Sequence, residues 1–180
     1  GLGDVYKRQP ITYEAPYLDN LPTAPREKFA ANIAAIQKLK EIEQRVANGG
    51  SPAFEDEQKI LAQYTGWGGL SDAFDPNKSA WSNEYSQLKA ALSESEYEAA
   101  RSSTLTAFYT PATVIHPIYR ALERFGVKGG KILEPSMGTG AFLAHGHFGS
   151  SDAKFYGVEL DSITGRISKQ LYQKANIQVT

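Results

Sequence analysis

The chain has 180 residues, 41% of them apolar, and 19 Lys and Arg against 20 Asp and Glu give a net charge of −1. This excludes a disordered tail and provides for one buried core with a helical extension. Without cysteine there are no disulfides and no thiolate metal sites. No apolar run matches a bilayer span and no signal peptide is legible, so a soluble, cytoplasmic protein is expected.

Gly1 to Gln9 do not fit the rest of the chain and read as translated adapter sequence, set aside as non-native. The remainder of 1–25 reads as an extended leader, 26–105 as a helical region, and 106–180 as the start of an α/β domain. A helix is predicted from Arg26, because Phe29, Ile33, Ile36, Leu39, Ile42 and Val46 recur at steps of three or four. Asn48-Gly49-Gly50 ends it. Ser51 and Pro52 are expected to cap and open a second helix, with Ile60, Leu61 and Tyr64 on its inner face. In Thr65-Gly-Trp-Gly-Gly-Leu70 the glycines permit a sharp turn around Trp67, which reads first as a packing anchor and second as a pocket wall. Further helices are predicted over Glu84–Leu92 and from Glu94 to about Arg101. Ser93 and Glu96 stand at capping-box spacing for the latter, and Trp81, Tyr85 and Leu88 should pack inward. Thr110 is expected to cap a helix opened by Pro111, with Val114, Ile115, Ile118, Leu122 and Phe125 on a broad apolar face and a kink at Pro117.

The centre of the chain is Lys131-Ile-Leu-Glu-Pro-Ser-Met-Gly-Thr-Gly-Ala-Phe-Leu143. It reads as a strand covered on both faces that runs into a glycine turn and then a helix, whose free N–H groups point back into the turn. Lys154-Phe-Tyr-Gly-Val-Glu-Leu-Asp161 reads as a second strand ending in carboxylates, about twenty residues on, the place of a ribose-binding acid in nucleotide-binding units. Ile163, Ile167 and Leu171 predict one more helix, and Ile177 to Thr180 a third strand. His145-Gly-His147 suggests metal at a glance, but no third ligand type lies nearby, so no metal site is expected. Three strands do not complete a doubly wound sheet, and a truncated piece of a longer protein is expected.

Leu133-Glu-Pro-Ser-Met-Gly-Thr-Gly140 resembles motif I of S-adenosylmethionine-dependent methyltransferases, in the spelling of the γ-class N6-adenine DNA enzymes. Ala107-Phe-Tyr-Thr-Pro111 is similar to the segment that precedes it in that class, and Gly157-Val-Glu-Leu-Asp161 to motif II. The resemblance implies an α/β, Rossmann-like methyltransferase core, incomplete here, behind a helical N-terminal region. It also implies S-adenosyl-L-methionine as cofactor. Gly138, Thr139 and Gly140 would bring backbone against its amino-acid and ribose parts, and Glu159 would take the ribose hydroxyls. Leu160 would pack on adenine beside Asp161. Glu134, Pro135, Ser136 and Met137 would shape the pocket floor, and Tyr109, Thr110 and Pro111 would close the methionine end. Gln63 to Leu70 resembles a segment of large helicase-methyltransferase polypeptides of conjugative elements and phages. That implies a helicase domain in the same polypeptide and double-stranded DNA as a partner of the full-length protein.

The Asn/Asp-Pro-Pro-aromatic motif with which the class holds its flipped adenine is missing from these residues, so no catalytic residue is assigned and the segment alone is expected to be inactive. No lysine and arginine cluster stands out, which places the surface gripping duplex DNA outside this segment. Two rival readings use the same residues. One is a non-catalytic interaction module that docks a helicase or another partner, with a purely structural glycine turn. The other is an NAD-dependent oxidoreductase, disfavoured because Leu143 stands where the dinucleotide fingerprint has its third glycine.

Overall fold

Helix α1 (Pro25–Ala47) begins with proline in its first turn and buries the stripe Phe29, Ile33, Ile36, Leu39 and Ile42. Val46, the last of the expected stripe, is 41% exposed. The structure is a computed structural model and describes residues 20–146 and 153–180. The expected non-native segment 1–9, most of the leader, and His147 lie outside the described residues. Helix α2 (Glu55–Leu61) starts later than expected. Its N-cap is Phe54, and the Glu57 carboxylate reaches back 2.9 Å to the Phe54 N–H, a bond that Ser51 has no means to replace from four residues upstream. Leu61 and Tyr64 turn inward, while Ile60 remains 39% exposed.

Two short 3-10 turns, Ser71–Phe74 and Ser79–Trp81, lead into α3 (Ser82–Ala91) and α4 (Glu94–Ser103). The Ser93 and Glu96 capping box is formed in both directions. Helix α5 (Ala112–Arg124) is capped by Pro111 itself, which holds an extended backbone; Thr110 lies one residue too early to cap it. Of the expected apolar face of α5, Ile115 is buried and Leu122 half-buried, but Val114, Ile118 and Phe125 face solvent.

The sheet has three parallel strands in the order β1-β2-β3: β1 (Lys131–Glu134), β2 (Lys154–Glu159) and β3 (Asn176–Val179). Lys131 pairs with Lys154, and Glu159 with Val179. Helix α6 (Ala141–His145) follows β1, and α7 (Ser162–Leu171) joins β2 to β3. The β1 strand is not covered on both faces: its burial alternates, and Leu133 is 63% exposed.

The helical half and the sheet share one core. Phe29, Trp67, Leu88 and Tyr97 belong to the same buried cluster as Met137, Ile163, Ile167 and Ile177. Polar bonds seal the joint. Ala53 N donates to the Gln170 side chain at 2.9 Å, and Gln58 Nε2 donates to the Gln170 carbonyl at 2.7 Å. Arg166 of α7 reaches both Glu43 of α1 and Glu96 of α4. Burial alone would raise the Glu96 pKa, but its bonds to Arg166, the Ser93 N–H and Lys40 hold it at about 2. Among the described residues no helix is long and apolar enough to cross a membrane.

Candidate functional site

The glycine turn and the acid at the end of β2 meet directly. Gly138 has φ +54, and its N–H donates to Glu159 Oε2 at 2.8 Å, while Asp161 N–H donates to Oε1 at 2.8 Å. Both oxygens of the carboxylate expected to hold a ribose are thus engaged by the chain itself. The Gly138 carbonyl accepts from Ser168 Oγ at 2.8 Å, which ties the turn to α7. Asp161 is the N-cap of that helix and accepts from Thr164 N at 2.7 Å and Thr164 Oγ1 at 2.5 Å.

A second wall comes from the helical half. Asn32 is fully buried on α1. Its amide donates to the Gly66 carbonyl at 2.7 Å, and its oxygen accepts from Thr65 N at 2.8 Å, so one side chain closes the 65–66 turn. Lys28 Nζ donates to the Gly68 carbonyl at 2.7 Å, and burial lowers the lysine's pKa. Tyr109 lies between the two turns. A Cβ at Gly66 would come within 2.7 Å of the Tyr109 hydroxyl, and one at Gly138 within 2.8 Å of its ring. Both glycines have positive φ, so each is required twice over: by its backbone and by the tyrosine pressed against it. Burial raises the Tyr109 pKa, with Asp161 and Glu159 adding to the effect and the facing Thr164 side chain opposing it. Tyr64 is raised for the same first reason. These phenols stay neutral at any physiological pH.

Between the walls lies an open hollow of about 430 Å³. Tyr109, Ser136, Gly138, Glu159, Leu160 and Asp161, all expected at a ligand site, line it. Leu160 is 80% exposed, a flat apolar surface without a protein neighbour to cover it. The remaining expected residues do not line it. Thr110 and Pro111 lead into α5, and Glu134 folds its carboxylate toward Ser136 N at 3.4 Å. Pro135 precedes the turn. Met137 is buried against Gly157, Thr139 is buried, and Gly140 caps α6 against the Tyr172 ring. The hollow also takes Ser102, Ser103 and Thr164, which no motif marked, along with Tyr64, Trp67 and Phe108 from the two quoted segments 63–70 and 107–111. Trp67 is the packing anchor anticipated: it is 1% exposed, packs edge-on against Phe29, Tyr64 and Phe74, and also borders the hollow.

His145 is buried in the last turn of α6 rather than in a loop, and its Nδ1 lies 3.1 Å from His116 Nε2 on α5. Two imidazoles at this distance share one hydrogen bond. Among the described residues there is no group of three or more His, Cys, Asp or Glu that could hold a metal.

No family model matches this chain, and no solved structure matches it. Among curated proteins it is similar to the Defense against restriction protein B of Escherichia phage P1, 25% identical over 173 residues that cover 96% of this chain and 6% of that protein. The chain therefore spans a small fraction of the relative's length. This finding corrects the family expectation drawn from the motifs: the relative's name is not that of a methyltransferase, and nothing in the comparisons supports assignment to the adenine-methylating class. The short motif that carried the resemblance specifies a turn geometry, which unrelated sites can share.

Proposed function

We propose that this chain is a non-catalytic interaction module of a much longer, restriction-related protein, built on a Rossmann-like core whose glycine turn serves structure. The observation that carries this reading is Glu159, whose two oxygens already brace Gly138 and Asp161. Each oxygen keeps a second lone pair, but the two backbone bonds hold the carboxylate as the brace between the turn and the strand end. The similarity to a protein named for defence against restriction suggests the setting. Duplex DNA and a helicase domain of the same polypeptide are the partners this reading assigns to the whole protein. Deleting this segment from the longer protein should reduce the survival of incoming DNA under restriction; undiminished survival would remove the reading.

The hollow supports a second reading, in which a nucleoside-bearing molecule binds there, S-adenosyl-L-methionine being the first to test. Its ribose hydroxyls would donate to the lone pairs that Glu159 has left, and its base would cover Leu160. Thermal unfolding separates the readings, because a ligand at a hundredfold excess over its Kd stabilises by about 2.7 kcal/mol. Under the first reading S-adenosyl-L-methionine, its analogue sinefungin and NAD all leave the Tm unchanged, and Glu159→Ala lowers it through the loosened turn. A rise with sinefungin but not NAD, abolished in Glu159→Ala, would establish the second.

A further inference from the structure

The sheet has a second end, opposite the hollow. Glu159 stands at the C-terminal end of β2, whereas Lys131 and Lys154 open β1 and β2 and are paired in register. The last turns of α5 reach the same end, because only residues 125–130 separate Arg124 from Lys131, and Lys154 N donates to the Gly130 carbonyl at 2.8 Å. On this part of α5, Arg120 and Arg124, one turn apart, line an open groove of about 590 Å³ with Pro117, Ala121 and Phe125.

Three observations mark this groove as unfinished. Arg120, Arg124, Lys131 and Lys154 are exposed and form no ion pair among the described residues, although Glu123 lies between the two arginines in sequence. Lys131 and Lys154, outside the groove's lining, stand in register on neighbouring strands, where like charges disfavour each other. Phe125 is 83% exposed directly beside Arg124. A basic residue in a last helical turn suits the helix dipole, which accounts for Arg124 but for neither Arg120 nor the bare phenyl ring.

We propose that this groove binds single-stranded nucleic acid, with Arg120 and Arg124 on successive phosphates, Phe125 stacked on an unpaired base, and the two lysines extending the track. Guanidinium forks fit phosphate geometry, and an exposed ring gains most from a base that is not already stacked in a duplex. The proposal deepens the interaction-module reading and rests on it. No basic cluster is visible in the sequence, because the cations lie at positions 120, 124, 131 and 154 and only the fold gathers them at one end.

The test is fluorescence anisotropy of the 180-residue chain with a labelled oligothymidylate of about 16 nucleotides, near the upper site size of small single-strand binders. Arg120→Glu with Arg124→Glu should weaken binding at least about tenfold and flatten the salt dependence by about 1.4 log units per log unit, the share of two phosphates. Phe125→Ala should weaken it at least about fivefold without changing the salt slope. Lys169→Glu with Lys174→Glu, an equal charge change on and after α7, should leave it unaltered. Circular dichroism and the milder Arg120→Gln with Arg124→Gln guard against misfolding as the cause. Absence of oligonucleotide binding, binding that survives the arginine reversals, or equal competition by polyglutamate would overturn the assignment; the last would identify an acidic protein as the occupant. The interaction-module reading falls separately, by the restriction-survival experiment.

Discussion

The helical half and the α5–β1 edge treat apolar residues in opposite ways. Trp67 meets Phe29, Tyr64 and Phe74, and Phe74 meets Tyr97, at edge-on or tilted angles with centroids 5.3 to 6.4 Å apart, and all five rings are buried, although Val46, Ile60 and Leu105 of the helical half stay exposed. Along α5 and β1, Val114, Ile118, Phe125 and Leu133 face solvent, the last two at 83% and 63%. The first region has closed its aromatic centre within this chain; the second has no such centre and keeps apolar side chains on its surface, where contact with a partner is favoured. Stability should therefore reside in one region and recognition in the other.

The strongest challenge to this contrast is Trp67→Ala, which should cost about 3–5 kcal/mol in denaturant unfolding, because the ring is fully enclosed and its neighbours come from several elements. A loss below about 1 kcal/mol would mean the helical half is loosely packed. Next, Asn32→Leu should cost about 2–4 kcal/mol, since it leaves the Gly66 carbonyl and Thr65 N–H buried without partners. Tyr109 fluorescence or hydrogen exchange at Gly66 should report the loosened turn before global unfolding does.

Acid should act on the same joint. The folded pKa of Glu96, about 2, lies below its ordinary 4.5, so its contribution is complete above pH 4.5 and is lost as pH falls toward 2. Arg166→Met should flatten stability in that window, because the arginine supplies the largest favourable contribution to the depressed pKa. An unchanged pH profile would remove the network from the account. The smallest effect belongs to the other region: Phe125→Ser should shift stability by no more than about 0.5 kcal/mol while weakening oligonucleotide binding. If it destabilises strongly, the ring packs somewhere and the contrast between the regions fails.

Much of the fold was legible because its signals are local. The α1 stripe, the Ser93–Glu96 box, the α7 stripe and the three strands each follow from periodicity or capping within a few residues. The convergence of Gly138 and Glu159 was legible for the same reason, since one strand-turn-helix-strand unit fixes their separation. What failed was anything that depended on a partner's location. The caps assigned to Ser51 and Thr110 lost to Glu57 and Pro111, and the apolar faces of α5 and β1 were read as buried although no element covers Val114, Ile118 or Leu133. The family expectation failed differently: a short motif identified a backbone shape and was extended to an activity.

The amino-acid order alone determined where helices and strands form and that a glycine turn would face an acid, because those outcomes depend on contacts within one supersecondary unit. Only the tertiary structure decided that Tyr109 packs between Gly66 and Gly138, that Glu159 braces the glycine turn, and that Lys131 and Lys154 pair at one end of the sheet. Those outcomes depend on distances between residues far apart in the chain, which packing of the shared core sets and local propensity does not.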